Sequence, residues 1–257
     1  MKKKILRAIQ FLLIILVIVS SYKIVEYIKA NKEFQKKDVE IKSTVKKWQD
    51  EVQKERVEDE DPNLKGHNAK EDLDKMESSK IAYLKKDYPN IIAWIKIPET
   101  GIDLPVVQGK DNIFYLDHDY KGNYDVFGTV FMEMANSPNF DDQNTILYGH
   151  NVRSGKVFHA LHQYRDPNFV TKAPIIEVSN LKGLYRYKIF AAYIANPDDN
   201  FRTPNYGEED FPIFYQRMVD KNLLNEELPT NFDKILTLQT CSDKNKRLII
   251  HGIKIDD

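Results

Sequence analysis

Hydrophobic and polar positions divide the chain into three stretches, and the first of them is apolar. An unbroken apolar run covers 11–19, and it extends to 5–25 if Arg7 and Lys23 place their charged ends at a bilayer surface. About 20 residues of helix cross the hydrocarbon core of a membrane. The pattern therefore predicts a basic tip and a transmembrane anchor within 1–28.

Basic residues before the apolar run predict its orientation; they are Lys2, Lys3, Lys4 and Arg7. By the positive-inside rule they keep the N-terminus in the cytoplasm and place the rest of the chain outside the cell. A cleaved signal peptide is the alternative, although 19–21 fits the small-x-small cleavage pattern poorly. Either interpretation exports the main domain, and we expect a single-pass protein of the cell membrane.

The second stretch, 29–80, is dense in charged residues and poor in large apolar ones. Such a composition buries too little apolar surface to form a domain. A break at 61–66, with one proline and one glycine, separates two weak helical patterns. We predict a partly helical stalk whose helices end against the third stretch.

The third stretch, 81–257, changes after Asn90 to short β-rich runs separated by turn residues. These runs cover 91–97, 101–107, 128–132, 145–148, 175–178, 185–194, 234–241 and 247–255. Short strands at this spacing predict a mainly β domain, a barrel or a sandwich. Two helices are expected inside it, one over 154–164 capped by Ser154 and one over 208–222 within a long insertion.

Composition narrows the classes of function. The chain has 38 basic and 39 acidic residues and a net charge of −1, so no global positive field favours nucleic acid. Cys241 is its one cysteine, and no intrachain disulfide can form. A free cysteine is commonly a small buried hydrophobe, so its surroundings must decide between a structural and a reactive thiol.

Cys241 ends a predicted strand whose two faces differ. Leu236 and Leu238 share one face, whereas Cys241 lies on the other, and its thiol is expected to face a groove. The loop 242–246 then leads to Arg247, so a hairpin brings a guanidinium near the thiol. Such a cation lowers the pKa of a thiol and stabilises an oxyanion. An ordinary solvated arginine explains the spacing equally well.

Six histidines are candidates for the proton carrier that a cysteine nucleophile needs. His150 follows a β run in a Gly-containing turn, from which it can project over a neighbouring strand end; a surface loop histidine is the alternative. His159 and His162 lack a third metal ligand at a recognisable spacing, so a solvated helix face is favoured and no metal is expected. His251 is a core or groove histidine, and the other two belong to no motif.

The order of these residues resembles the sortase signature T-L-x-T-C with its His and Arg partners. Thr237-Leu-Gln-Thr-Cys241 matches the motif, Arg247 follows it, and Tyr148-Gly-His-Asn151 lies upstream. The likeness extends from about Ile81 to the end. The N-terminal helices and the helix in the insertion before the Cys strand resemble class B sortases in particular. The resemblance implies a closed eight-stranded β-barrel with 81–257 as the catalytic domain.

The same resemblance implies a cysteine transpeptidase. No acidic cluster marks the structural calcium site of class A relatives, so no cofactor is expected. Cys241 would attack the carbonyl of a threonine in the C-terminal sorting signal of a secreted protein and form a thioester. An amine from a peptidoglycan precursor or a pilin lysine would then take the acyl group. His150 would act as general acid and base, and Arg247 would steady the oxyanion.

Three further residues are expected to contact the substrate. Asn112 and Leu116 resemble the class B substrate-contacting pair, with a capping turn and a core leucine as the equal alternative. Gln239 fills the variable position of T-L-x-T-C, where a small polar residue would be familiar, so the groove beside the nucleophile is expected to differ from better-known members.

Two other functions stay open at this level. A cysteine endopeptidase without transfer would use the same Cys and His, but it usually relies on an Asn or Asp to orient the histidine and on backbone donors for the oxyanion. Arg247 argues against it. A tethered binding domain without chemistry would leave Cys241 as a buried structural thiol, which resists alkylation.

Overall fold

The computed structural model describes residues 2–58, 69–152, 154–229, 233–242 and 245–255. The chain forms two compact units, Met1–Lys46 and Lys47–Asp257. The predicted break at 61–66 lies outside the described residues. The predicted stretch boundaries at 28 and 80 both fall inside helices and stay predictions.

The first unit consists of most of one long helix, α1 (Lys2–Glu58). Side chains of the apolar run 11–19 are exposed, from 44% at Ile15 to 67% at Phe11. Of the described helices, α1 alone is long and apolar enough to cross a membrane, with a mean hydropathy of 2.3 in its most apolar window. Length and composition of this kind fit a membrane anchor and equally a signal sequence.

The second unit begins with the end of α1 and with α2 (Ala69–Asp87), which packs on the sheet. The indole of Trp48 donates to Ser79 Oγ at 3.1 Å, and this bond ties the two helices together. The Asp74 carboxylate accepts a hydrogen bond from the backbone N–H of Leu184 at 2.9 Å. A Cβ at Gly183, where φ is 133°, would lie 2.5 Å from that carboxylate, so this contact requires glycine.

Ten strands follow α2 among the described residues. They are β1 (Ile91–Ile97), β2 (Ile102–Gln108), β3 (Val130–Met132), β4 (Asn144–Tyr148), β5 (Asn151–Val152), β6 (Lys156–Val157), β7 (Ile175–Asn180), β8 (Gly183–Ala195), β9 (Ile235–Cys241) and β10 (Arg247–Ile255). Eight of them close a barrel in the order β1-β2-β3-β4-β9-β10-β8-β7, and β5 and β6 form a separate ribbon. The closed eight-stranded barrel with N-terminal helices is confirmed.

Strand positions agree with the predicted runs to within two residues at each end. The insertion helix is also present as α3 (Asp210–Lys221), between β8 and β9. The helix predicted over 154–164 is wrong in its first half, because a 3-10 helix begins only at His159 and runs to Arg165. Gly155 and Val157 adopt φ of 83° and 52°, which a right-handed helix cannot accommodate.

A buried polar network fixes β9 against its neighbours. The Thr237 hydroxyl donates to Asn144 Oδ1 at 2.5 Å, so it accepts from His251 Nδ1 at 2.8 Å. The Tyr193 hydroxyl donates to His251 Nε2 at 3.0 Å. His251 is therefore a core histidine, and its complete burial lowers its pKa to about 3. The network joins β9, the strand that ends at Cys241, to β4, β10 and β8.

Candidate active site

Cys241 is the last residue of β9 and is exposed. On the same face of the strand, Ile235 and Thr237 are fully buried and Gln239 is half-buried. Antiparallel pairing places Cys241 directly opposite Arg247 at the start of β10, as the hairpin predicts. The barrel thus presents one thiol at the open end of a strand that begins in the core.

His150 is held in place by the turn that follows β4. The N–H of Gly149 donates to the Gln239 carbonyl at 3.1 Å, and the N–H of Phe158 donates to the His150 carbonyl at 3.0 Å. A Cβ at position 149 would lie 2.6 Å from the Phe158 ring, so only glycine lets the chain pass there. The sequence signal, a glycine before the histidine, therefore has a steric cause.

The imidazole of His150 contacts both a carbonyl and the thiol. Its Nε2 lies 2.6 Å from the Leu116 carbonyl oxygen, which only accepts, so Nε2 carries a hydrogen and Nδ1 is left for the sulfur. The hydrogen bond with Cys241, supported by the Leu116 carbonyl, raises the pKa of His150 against the effect of burial. A raised imidazole pKa is what a proton acceptor from a thiol requires.

The contact with His150 has the opposite effect on the pKa of Cys241. Its hydrogen bond with His150 lowers the thiol pKa, desolvation opposes this, and the charges of Arg247 and His150 lower it further. Thiolate rather than thiol is the nucleophile, so these contacts activate the sulfur. Cys241 therefore has the surroundings of a reactive thiol rather than those of a buried hydrophobe.

Arg247 is anchored at one end of its guanidinium only. Its Nη1 donates to the carbonyl oxygens of Asn245 and Lys246 at 3.1 and 3.2 Å. No carboxylate of the described ranges forms an ion pair with it. The other N–H groups are thus available to an oxygen beside the thiol.

A cavity of about 250 Å³ joins these groups. It contains all six residues expected from the sequence, and its lining is Asn112, Leu116, Phe131, Tyr148, Gly149, His150, Arg202, Gln239, Thr240, Cys241 and Arg247. Thiol, imidazole and guanidinium therefore meet in one cleft, which can hold a peptide carbonyl next to a nucleophile, a proton carrier and a cation.

Asn112 and Leu116 lie on the wall formed by the 111–116 turn. Asp111, not Asn112, caps this turn by accepting from the backbone N–H groups of Ile113 and Phe114. Leu116 is 39% exposed, so it is no core leucine. Asn112 donates to Glu133 Oε1 at 2.7 Å and accepts from the N–H of Met134 at 2.8 Å. The capping alternative thus fits neither residue.

Glu133 was missed by the sequence analysis. It is 7% exposed and accepts from Asn112 and, at 2.5 Å, from the Tyr148 hydroxyl. Desolvation, reinforced by this carboxylate, raises the pKa of Tyr148, so the hydroxyl stays protonated. Glu133 therefore orients two side chains of the cavity wall from behind. Its one sequence signal is an acidic residue directly after the apolar strand 130–132.

The two histidines of the 3-10 helix, His159 and His162, each form a hydrogen bond with a protein group near the thiol or near His150. His162 Nε2 lies 3.0 Å from the Cys241 carbonyl oxygen, so it supports the backbone of the Cys strand. His159 Nδ1 lies 2.6 Å from Asn151 Oδ1. Within the described part of the chain, no group of three His, Cys, Asp or Glu residues is arranged to hold a metal ion.

Comparisons with known proteins agree with this geometry. A sortase domain model matches residues 95–255. Sortase B of Staphylococcus aureus is 31% identical over an alignment of 258 positions, which covers 96% of this chain and 96% of that protein. The solved Staphylococcus aureus sortase B–substrate complex has a TM-score of 0.65 at 31% identity and covers 70% of this chain and 86% of its own. A structure of sortase B complexed with triglycine gives the same values. The chain therefore belongs to the sortase family of transpeptidases and is a sortase of class B.

Proposed function

We propose that this class B sortase is a membrane-anchored, extracellular enzyme that cleaves the C-terminal sorting signal of secreted proteins after threonine and transfers the acyl group to an amine. One observation carries the proposal. Cys241, His150 and Arg247 line a single cavity, with the thiol pKa lowered and the imidazole pKa raised by their mutual hydrogen bond.

In the first step, the proton that Cys241 and His150 share moves to the imidazole. The thiolate attacks the carbonyl carbon of the threonine, a C–S bond forms, and the carbonyl electron pair moves to the oxygen. That oxygen faces the free N–H groups of Arg247, which stabilise its developing charge. The anchoring of Nη1 by two loop carbonyls holds the guanidinium in place for this role.

Collapse of the tetrahedral intermediate re-forms the carbonyl and breaks the amide bond after the threonine. His150 gives its proton to the departing amine, and a thioester on Cys241 remains. An acceptor amine then attacks the thioester, and the same imidazole takes the proton from its nitrogen. The C–S bond breaks, the thiolate is regenerated, and a new amide bond joins substrate and acceptor.

Asn112, Leu116 and Gln239 are proposed to contact the sorting signal, because all three line the cavity around the thiol. The relatives solved in complex with a substrate and with triglycine support a peptide as donor and an amine as acceptor. For this chain, we propose a peptidoglycan precursor or a pilin lysine as the acceptor. The exposed apolar part of α1 would anchor the enzyme with its N-terminus in the cytoplasm.

Peptide transfer by the full chain in detergent tests the proposal. A threonine-containing peptide library is incubated with the enzyme and triglycine, and products are identified by mass spectrometry. We expect amide products in which triglycine follows threonine, and none with Cys241→Ala. Release of free acid without amide, even at high triglycine concentration, would instead indicate a cysteine hydrolase.

A further inference from the structure

The cavity contains a second guanidinium that the proposed chemistry does not use. Arg202 lies in the connection between β8 and α3, where sequence analysis finds no motif, and its side chain lines the same cleft as Cys241. A second cation in a small cleft is costly unless something in the cleft pairs with it. Arg202 is therefore the feature of the site that most needs an explanation.

The contacts of Arg202 hold its guanidinium rigidly. Its Nε donates to Gln239 Oε1 at 2.9 Å, and its Nη1 donates to the Pro197 carbonyl at 3.1 Å. The guanidinium carbon also lies 4.7 Å from the centre of the buried Phe201 ring. A planar guanidinium held by two hydrogen bonds and a ring contact loses little further freedom when it binds a ligand.

None of these contacts pairs Arg202 with a carboxylate. Both hydrogen-bond partners are neutral oxygens, and no carboxylate in the described ranges forms an ion pair with it. The remaining N–H groups, including both on Nη2, have no hydrogen-bond acceptor among those residues. A carboxylate is the ligand that fits the planar fork of an arginine best.

We propose that Arg202, oriented by Gln239, is a specificity-determining residue that binds an acidic side chain of the sorting signal. Gln239 precedes Cys241 by two residues on the same face of β9, so the two lie about 7 Å apart along the strand. An extended peptide spans this distance in two residues. The acidic side chain therefore stands within two residues of the bond that is cleaved. This inference rests on the proposed function and names a class of substrate for it.

Matched peptides test the inference directly. Peptides that keep the threonine and carry Glu, Gln or Lys at each other position within two residues of the scissile bond are compared by kcat/KM for transfer to triglycine. With the wild-type chain we expect one position at which Glu exceeds Gln by about fivefold or more and Lys is poorest. In Arg202→Gln the Glu-to-Gln ratio at that position falls to about one.

Arg217→Gln is the control, because Arg217 lies on the same insertion, donates a hydrogen bond to the Asn200 carbonyl and does not line the cavity. It should keep the wild-type Glu-to-Gln ratio. If Arg202 only braces the insertion, Arg202→Gln slows all peptides alike and leaves the ratio unchanged, which overturns the inference. Wild-type transfer without a preference for Glu at any position overturns it as well. Absence of transfer with every peptide would instead refute the proposed function.

Discussion

Replacing Arg247 by lysine separates the charge of this side chain from its shape. Arg247 uses Nη1 for the carbonyl oxygens of Asn245 and Lys246, and its other nitrogens are available to the substrate oxygen. Lysine carries its three N–H groups on one nitrogen and lacks the planar fork, so it cannot reproduce the guanidinium geometry toward the loop and the oxyanion together. Loss of one oxyanion donor costs about 10²–10³-fold in kcat, so we expect kcat for transfer to fall roughly 100-fold in Arg247→Lys.

The pKa of the Cys241 thiol should respond differently from kcat to the Arg247→Lys change. The charge of Arg247 is one cause of the lowered Cys241 pKa, second in its effect to the hydrogen bond with His150 among those that lower it. Lysine keeps a positive charge at this position, so the thiol pKa should remain low. Arg247→Gln removes the charge, and we expect that pKa to rise toward its ordinary value of 9.0.

Two assays on the same three proteins separate these effects. The pH dependence of iodoacetamide alkylation gives the thiol pKa, and peptide transfer to triglycine gives kcat. We expect the lysine variant to alkylate like the wild type but to transfer slowly. Near-normal transfer by Arg247→Lys would remove the oxyanion role from Arg247. A thiol pKa that rises equally in both variants would show that the guanidinium acts on the sulfur instead.

Three further changes probe the site and the barrel beneath it. His150→Gln should raise the midpoint of Cys241 alkylation, because the largest cause that lowers the thiol pKa is its hydrogen bond with this imidazole. Gly149→Ala should lower transfer by at least about tenfold, because its Cβ would lie 2.6 Å from the Phe158 ring and displace the imidazole of His150. Gly207→Ala, whose Cβ has 3.9 Å of clearance, should leave transfer unchanged. His251 has a pKa lowered to about 3, so acidification from pH 6.5 to 5 protonates it only in the unfolded chain. The wild type should lose up to about 2 kcal/mol more unfolding free energy over that range than His251→Gln, measured by urea titration.

Each of these expectations has a contrary result. An unchanged alkylation midpoint in His150→Gln would mean that the imidazole does not activate the sulfur. Equal activity of Gly149→Ala and Gly207→Ala would show that the turn tolerates a methyl group. Parallel pH dependence of unfolding in the wild type and in His251→Gln would mean that the buried histidine titrates alike in both states.

Local patterns in the sequence predicted most of the barrel, because alternation and turn residues are properties of adjacent residues. The strands 91–97 and 247–255 have the predicted ends, and the hairpin pairs Cys241 with Arg247. The prediction of a helix over 154–164 was wrong in its first half, because Gly155 and Val157 adopt left-handed backbone despite an apparently helical pattern. The sign of φ at these residues depends on how the turn packs, and the spacing of hydrophobic residues does not predict it.

The site also contains residues that local sequence predicts and residues that it does not. The meeting of Cys241, His150 and Arg247 in one cleft was predictable, because a motif and strand ends mark these residues. Arg202 and Glu133 were not, since both reach the cavity through tertiary contacts, one from a long connection and the other from behind the wall. No local spacing reveals an arginine that meets Gln239 from 37 residues away.

The central claim is that one sulfur receives the acyl group under the influence of one imidazole and one guanidinium. Intact-mass measurement of the full chain, mixed with a transferable threonine peptide in the absence of an amine, tests it most directly. We predict an adduct that ends at the threonine, located on Cys241 by fragmentation, which triglycine discharges as an amide. An adduct on another residue, or amide formation by Cys241→Ala at the wild-type rate, would contradict the account.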